Sequence, residues 1–280
     1  MLNNVRCSTL SAPLTFLSDH PALEVLHLDI SLHIGSFSTP NSLPQGSLPN
    51  LREVKSSKEV INAILECPCD RPRPLRTLKG FKLSGQTTTS PNSSRSVSDS
   101  VFLSNLKHQA ILHKVELSGW HDMEDIRKLV PCIPKVQHLA LGKRIGTMGR
   151  RVPGGSSGPS ANIIEWIDLL STLPDLSTLH GVKFFYDVPT ESPRSNDHSV
   201  GSSKSQSFVV SQPMQMSMME RSRMRKNDEV AGVLAWKCSK LRWVDHWEDG
   251  SGKMIHLVRD HCGEEGKDKV RWEVKRLKGK

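Results

Sequence analysis

The chain has 280 residues, of which 36% are hydrophobic and 24% are charged, and its net charge is +9 at pH 7. A mean hydropathy of -0.39 and the lack of any apolar run of about 18 residues argue against a membrane protein. The first twenty residues lack a basic start followed by an unbroken apolar stretch, so we expect no secretory signal and a cytoplasmic or nuclear location.

One short phrase of sequence recurs seven times along the chain. It consists of an apolar residue, two spacers and a second apolar residue, often with a further apolar residue two positions later. The copies begin at Leu23, Leu51, Leu75, Leu112, Val136, Leu176 and Leu241. Because successive side chains of a strand point to opposite faces, each phrase predicts a strand whose fourth and sixth residues face a helix.

The segments between the phrases carry apolar residues at helical spacing. Examples are residues 60–65, 123–130 and 163–170. Strands and helices therefore alternate, which predicts an α/β fold: an irregular leucine-rich-repeat-like solenoid with a curved, mainly parallel sheet and helices on one face. Successive phrases start 24 to 65 residues apart, so the repeat is irregular.

Low-complexity insertions coincide with the long spacings. Stretches rich in Ser, Gly and Pro near 84–100 and 146–160 bury too little apolar surface to become ordered. The pattern predicts a solenoid over 1–189 that contains both disordered insertions. A Ser- and Met-rich disordered linker or insertion follows over 190–226. The last repeat and a β cap, over 227–280, pack on the same solenoid.

The end of the chain predicts one more helix, one more repeat strand and a β-hairpin. Asn227 suits the N-cap of a helix from Asp228 to about Cys238, because acids follow it in the first turn. The last repeat strand covers residues 241–247. The two strands of the hairpin cover residues 253–259 and 269–277.

Tryptophan is concentrated in this last part of the chain. Four of the six tryptophans, Trp236, Trp243, Trp247 and Trp272, lie in the last 45 residues. The last unit of a solenoid has no neighbour, so we interpret the cluster as an end cap in which Trp236 and Trp272 are buried. Their predicted neighbours are Val233, Leu241, Ile255 and Val274. The alternative is an aromatic binding patch on the concave face of the sheet.

Six stretches of the repeats and the tail together carry a family resemblance. They are LEVLHLDIS (23–31), NLREV (50–54), LHKVELSGW (112–120), VQHLALG (136–142), VAGVLAWKCSKLRWVDHWEDGSGKMIHLVRD (230–260) and KVRWEVKRL (269–277). Together they resemble the C-terminal leucine-rich-repeat region of mushroom-type (basidiomycete) fungal F-box proteins, and the tail is the most specific part. The resemblance implies a repeat region that holds substrate for a cullin ubiquitin ligase. The F-box, which binds a Skp-type adaptor in that family, is lacking before Leu23.

Glycine-rich stretches and catalytic motifs give no sign of an active site. Residues 142–149 are basic and rich in glycine but do not match a dinucleotide fingerprint, and residues 154–158 lack the Lys-Ser/Thr of a phosphate loop. No nucleophile, base and orienting group can be named together. We therefore expect no catalytic residues, no cofactor and a protein that is not an enzyme.

Cysteine and histidine near the C-terminus also fail to match a metal site. Cys238, His246, His256, His261 and Cys262 lie within 25 residues, but their spacing differs from that of structural zinc sites. The six cysteines are scattered singly, apart from the pair at 67 and 69. We expect free thiols and no bound metal.

The pattern instead favours a protein-binding surface made of strand residues between the repeat leucines. By alternation, the candidate contact residues are Arg52, Glu53, Arg76, His113, Lys114, Glu116, Gln137, His138, Arg242, Trp243 and Asp245. The expected partner is a protein substrate of unknown identity, with a Skp-type adaptor only if an F-box lies upstream. The alternative is a basic nucleic-acid-binding module that uses clusters 221–226 and 275–280, because residues 220–280 carry 16 basic and 11 acidic side chains.

Overall fold

The structure is a computed structural model that describes ten stretches of the chain. They are residues 16–17, 19–28, 43–69, 71–83, 97–109, 111–145, 162–188, 217–248, 250–260 and 269–276. The predicted insertion at 146–160 lies outside the described residues, as do residues 84–96 and 190–216 of the other two predicted disordered stretches. The division of the chain into three regions stays a prediction.

The strands of the described residues form one sheet. They are β1 (Val25–His27), β2 (Glu53–Lys55), β3 (Thr77–Lys82), β4 (Lys114–Trp120), β5 (His138–Ala140), β6 (Lys143–Arg144), β7 (Thr178–His180), β8 (Trp243–Asp245), β9 (Lys253–Asp260) and β10 (Lys269–Arg276). Their order is β1-β2-β3-β4-β5-β7-β8-β9-β10, and β6 pairs with β4. The path from β1 to β8 is parallel, whereas β9 and β10 form an antiparallel hairpin beside β8. The α/β class, the mainly parallel sheet and the C-terminal hairpin are confirmed.

Each of the seven repeat phrases forms a strand that begins two residues after its first apolar residue. The fourth residues of the phrases pair across the sheet in one row, which β9 extends. The row contains Leu26, Val54, Leu78, Val115, Leu139, Leu179, Val244 and Ile255. All are buried and share one core with helix side chains such as Phe102 and Ile126. Burial of one such aliphatic side chain stabilises the fold by about 1.5–3 kcal/mol, so the row holds neighbouring repeats together.

A repeated hydrogen-bond pattern sets the register of successive repeats. The carbonyl of Arg76 accepts from the N–H groups of His113 and Lys114, at 2.9 and 3.0 Å. The carbonyl of His113 accepts in the same way from Gln137 and His138, at 2.7 and 3.0 Å. Equivalent pairs precede β2, β3, β7 and β8. In every phrase from β2 to β8, the second residue therefore lies just before the strand. This position is the same whether few or many residues separate one phrase from the next.

Helices connect several of the strands. Their bounds are α1 (Lys58–Glu66), α2 (Asp99–Lys107), α3 (Met123–Leu129), a 3-10 helix (Val130–Cys132), α4 (Ile163–Leu170) and α5 (Met218–Lys237). The side chains of Ser98, Asp122 and Asn162 accept backbone N–H groups and cap α2, α3 and α4. Among the described residues, no helix is long and apolar enough to cross a membrane.

Helix α5 begins at Met218, well before the predicted start at Asp228. The reason is a capping box at its N-terminus. The backbone N–H of Glu220 donates to the Ser217 hydroxyl at 3.2 Å, and the N–H of Ser217 donates to the Glu220 carboxylate at 2.7 Å. The prediction of disorder is therefore wrong for residues 218–226, which are helical. It is also wrong for residues 99–100 of the predicted insertion at 84–100, because α2 begins at Asp99.

Asn227 lies within α5 and is fully buried, so the prediction that it caps a helix is wrong. Its amide nitrogen donates to the carbonyl of Tyr186 at 3.1 Å, and its amide oxygen accepts from the N–H of Tyr186 at 2.7 Å. Both backbone polar groups of Tyr186 are thus satisfied by a single side chain. This pair joins α5 to the segment that follows β7.

Of the two tryptophans predicted to be buried, Trp272 is partly buried and packs against the core, whereas the prediction is wrong for Trp236. The half-buried Trp272 ring lies 5.7 Å from Phe185 and 6.2 Å from Trp247 between ring centroids, and its indole N–H donates to Asp228 at 2.8 Å. Trp236 is 76% exposed. The buried positions of the same stretch of α5 are Ala231, Leu234 and Ala235, which leaves position 236 on the outer side of the helix.

Candidate protein-binding face

The third and fifth residues of the repeat phrases form a polar surface on the sheet. They alternate with the buried fourth residues and therefore point to the opposite side. This polar sheet face consists of Val25, His27, Glu53, Lys55, Thr77, Lys79, Lys114, Glu116, His138, Ala140, Thr178, His180, Trp243 and Asp245, with His256 and Glu273 of the hairpin continuing it. Its side chains are mostly exposed or half-buried.

The eleven predicted contact residues divide between two neighbouring places. Glu53, Lys114, Glu116, His138, Trp243 and Asp245 lie on the polar sheet face. Arg52, Arg76, His113, Gln137 and Arg242 precede the strands and form a line that we call the strand-start edge. In the parallel pairing, the third residue of each phrase lies opposite the third residue of the next. Residues at the same position of successive phrases are therefore neighbours across the sheet.

Ion pairs order the part of the polar sheet face on β1 to β4. The Glu53 carboxylate lies 2.7 Å from both the His27 imidazole and the Lys79 ammonium. Burial acts to raise the pKa of Glu53, but hydrogen bonds from Lys79 and His27 outweigh it and leave this pKa below its ordinary value. Lys114 and Glu116 pair at 2.7 Å on β4. Acids and bases therefore alternate here.

Asp245 holds β7 and β8 together on the same face. Its carboxylate lies 2.9 Å from the His180 imidazole and also accepts the backbone N–H of Gly181. Gly181 has φ +91°, and a Cβ atom there would lie 1.8 Å from the Leu141 carbonyl oxygen, so only glycine fits. Asp245 was predicted as a contact residue, and these bonds give it a positioning role within the face.

Trp243 forms an aromatic platform with a residue that the repeat pattern did not predict. Its ring stacks on His256 of β9, with centroids 4.2 Å apart and an interplanar angle of 23°. The Lys275 ammonium lies 3.0 Å from His256 Nδ1. Burial, followed by the charge of Lys275, lowers the pKa of His256. Alternation within residues 253–259, together with the predicted hairpin, was the sequence signal that could have identified His256.

A groove lies between the starts of β5, β7 and β8, the end of α5, and the hairpin. We call it the β8 groove; its volume is about 1340 Å³. Its lining residues are Gln137, His138, Asp175, Ser177, Thr178, Gly232, Ala235, Trp236, Ser239, Lys240, Arg242, Trp243, His256, Leu257, Val258, Arg259 and Val270. Four predicted contact residues, Gln137, His138, Arg242 and Trp243, therefore share one groove.

The pKa of His138 in this groove is lowered by burial and by the charges of Lys114, His180 and His113.

Within the described residues, no group of three or more His, Cys, Asp or Glu side chains could hold a metal ion. His261 and Cys262 lie outside those residues. The thiols of Cys67, Cys132 and Cys238 are buried and free. Burial raises the pKa of Cys238 to about 11, so this thiol is protonated at neutral pH and is a poor nucleophile.

The basic cluster at 221–226 makes contacts within the protein, but Arg221, Arg225 and Lys226 are exposed. Of the other predicted cluster, residues 277–280 lie outside the described residues. Arg223 donates to the carbonyl of Asp187 at 3.1 Å, and Arg225 pairs with Glu229 at 3.2 Å. The Lys226 ammonium lies 5.1 Å from the centroid of the Tyr186 ring. These contacts do not favour the nucleic-acid alternative.

Comparison with known proteins adds no family to these observations. No protein-family model matches the chain, and searches of curated proteins and of solved structures find no match. The resemblance to F-box proteins therefore stays a prediction from the sequence.

Proposed function

We propose that the chain is a non-catalytic protein-binding solenoid whose polar sheet face binds another protein. The repeat phrases support the solenoid: all seven form strands at the same offset, and the same paired hydrogen bonds join each phrase to the next. Repeats stacked in this way create an extended surface that suits a protein partner.

The observation that carries this proposal is the ordered polar sheet face beside the β8 groove. Glu53 and Asp245 hold neighbouring side chains in place, so those side chains lose less conformational freedom when a partner binds. Trp243 adds a large aromatic surface fixed by His256. Tryptophan and arginine are the residues most enriched among those that dominate binding energy, and Arg242 lies next to Trp243.

The resemblance supports a narrower role for this surface. It implies the substrate-recognition part of an F-box-type ubiquitin-ligase receptor, with a Skp-type adaptor bound by an F-box encoded upstream. The genomic DNA before the codon for Met1 tests this part. An in-frame, Leu-Pro-initiated helical box would support the receptor role, and its absence would leave a partner-binding solenoid without a ligase.

Capture of partners on matched charge-reversal variants tests the binding proposal itself. Lys114 lies on the polar sheet face, whereas Lys128 is exposed on α3 and outside the face. Proteins cross-linked to the wild-type chain in a lysate would be quantified by mass spectrometry. We expect Lys114→Glu to reduce capture of a specific protein about tenfold and Lys128→Glu to leave it unchanged. Equal effects of the two variants would contradict the proposal.

A further inference from the structure

The size of the β8 groove suits a chain segment better than a small molecule. Its volume of about 1340 Å³ exceeds the roughly 300–1,000 Å³ of ordinary small-ligand pockets. Its walls come from three parallel strands, the end of α5 and the hairpin. An extended polypeptide that crosses the strand starts would contact all of these elements.

Positive charge predominates in this groove. Asp175 is the only acid among the described residues that line it, and the Lys240 ammonium pairs with its carboxylate. Arg259 lines the groove and donates at 2.9 Å to the carbonyl of Cys238. Arg242 is exposed and forms no ion pair with any described residue. The groove therefore presents the Arg242 guanidinium to an incoming chain.

Two tryptophans lie beside these cations. Trp243 is held against His256, whereas Trp236 is 76% exposed on α5. An indole so exposed contributes little to folding, but it offers a large area to a partner at low entropic cost. The groove thus combines aromatic surface with the positive charge of Arg242.

The strand-start edge extends the positive charge beyond the groove. From Arg242 on β8, the edge passes β7, β5 and β4, where His113 lies, to Arg76 on β3. Neighbouring strands are about 4.8 Å apart, so these four steps span roughly 19 Å. An extended peptide covers that distance with about six residues.

We infer that the β8 groove and the adjoining strand-start edge bind an extended, acidic segment of the partner protein. This inference rests on the proposed function and names the chemistry of the partner. Acids of the segment would pair with Arg242 and Arg76, while an apolar side chain would contact Trp243.

A nucleic acid fits this surface less well. On the polar sheet face next to the groove, carboxylates such as Glu53 and Glu116 pair with Lys79 and Lys114, so this face is not the uniformly positive surface that a phosphate backbone favours. Surfaces that bind nucleic acid are much more uniformly positive. A protein segment can place acids against the arginines and neutral groups against the carboxylates.

Selection from a displayed library of random peptides, each about twelve residues long, tests the inference directly. On the wild-type chain, we expect enriched peptides to be rich in Asp and Glu and to bind less tightly as salt is added. We expect Arg242→Glu to weaken these peptides about tenfold and Lys128→Glu, the matched control, to change binding less than about twofold. Enrichment of neutral or basic peptides, no enrichment, or equal binding to both variants would overturn the inference.

Two further measurements separate this inference from the proposed function. If a captured partner depends on Lys114 and not on Arg242, the polar sheet face binds it and the groove inference alone fails. If the partner depends on neither residue, the proposed function fails. A single-stranded oligothymidylate that bound the wild type and lost binding in Arg242→Glu would overturn the acidic-peptide inference in favour of nucleic acid.

Discussion

The indole of Trp243 and the imidazole of His256 stack at 4.2 Å between ring centroids. Trp243 lies in the last repeat strand, and His256 lies in the hairpin that pairs with it. The stack thus joins the hairpin to the polar sheet face, so the hairpin contributes to the candidate binding surface as well as to the end of the sheet.

Truncation of Trp243 should reduce partner affinity more than stability. The ring is only half-buried, and the buried core residue of β8 is its neighbour Val244. We expect Trp243→Ala to reduce capture of the partner about tenfold while the free energy of unfolding falls by about 1 kcal/mol. Urea denaturation and quantitative capture check this. Full capture by a stably folded variant would contradict a role for Trp243 in binding.

The two tryptophans predicted as a cap should differ in their effect on stability. Trp272 packs on Phe185 and Trp247 and bonds to Asp228, so Trp272→Ala should lower the free energy of unfolding by about 3 kcal/mol. Trp236→Ala, at an exposed position, should change it by less than about 0.5 kcal/mol. Urea melts of both variants measure the difference. Equal losses would show that the hairpin packs differently.

Loss of the Asp245 carboxylate should loosen the contact between β7 and β8. Asp245 bonds to both His180 and the Gly181 N–H, so we expect Asp245→Ala to cost about 1–3 kcal/mol. Asp168→Ala is the control, because Asp168 is exposed on α4. Thermal or urea unfolding of both variants decides whether Asp245 has this positioning role; a loss no greater than that of the control would exclude it.

Two glycine substitutions should change stability in opposite directions. A Cβ at Gly181 would collide with the Leu141 carbonyl, so we expect Gly181→Ala to destabilise the fold by more than about 2 kcal/mol. Gly232 lies in α5 with open space around its Cα, and Gly232→Ala should stabilise the fold by about 0.5–1 kcal/mol. A stabilising Gly181→Ala would show that the turn after β7 has another conformation.

Stability should fall as the pH decreases from about 7 to 5. Burial is the main cause that lowers the pKa of His138, His246 and His256, so the folded protein binds fewer protons than the unfolded chain in this range. His246 is buried, its Nδ1 accepts from the Glu248 N–H at 3.1 Å, and its Nε2 has no partner among the described residues.

Removal of the His246 imidazole should therefore reduce this pH dependence. The loss of unfolding free energy between pH 7 and pH 5 should be smaller for His246→Phe than for the wild type, whatever the stability of the variant at pH 7. Urea melts at both pH values make the comparison. An equal loss in the two proteins would mean that His246 does not titrate differently on folding.

The repeat strands were predictable because their signal is local. An apolar residue at the first and fourth positions of a phrase specifies both where a strand begins and which face is buried, and Val54, Val115 and Val244 show this at three different spacings. The backbone pairing between phrases then follows from the fold. This backbone pairing sets the positions of the second, third and fifth residues of each phrase, and no further sequence signal is needed at those positions.

The features that were not predicted depend on contacts distant in sequence. The helical position of Asn227 is stabilised by Tyr186, 41 residues earlier. The stack of Trp243 on His256 requires the register of the hairpin, and the exposure of Trp236 depends on which side of α5 packs on the core. The interpretation of the cluster as an end cap had favoured burial of Trp236. The capping box at Ser217 and Glu220 was a local signal that the Ser- and Met-rich surroundings obscured.

Hydroxyl-radical footprinting of the chain with and without its captured partner tests the central claim most directly. Trp236 lines the β8 groove, whereas Met218, which is 86% exposed, lies at the other end of α5. Both side chains oxidise readily, and about 27 Å of helix separates them. We expect the partner to protect Trp236 and Trp243 from oxidation and to leave Met218 unprotected. Protection of Met218 with unchanged oxidation of both tryptophans would contradict it.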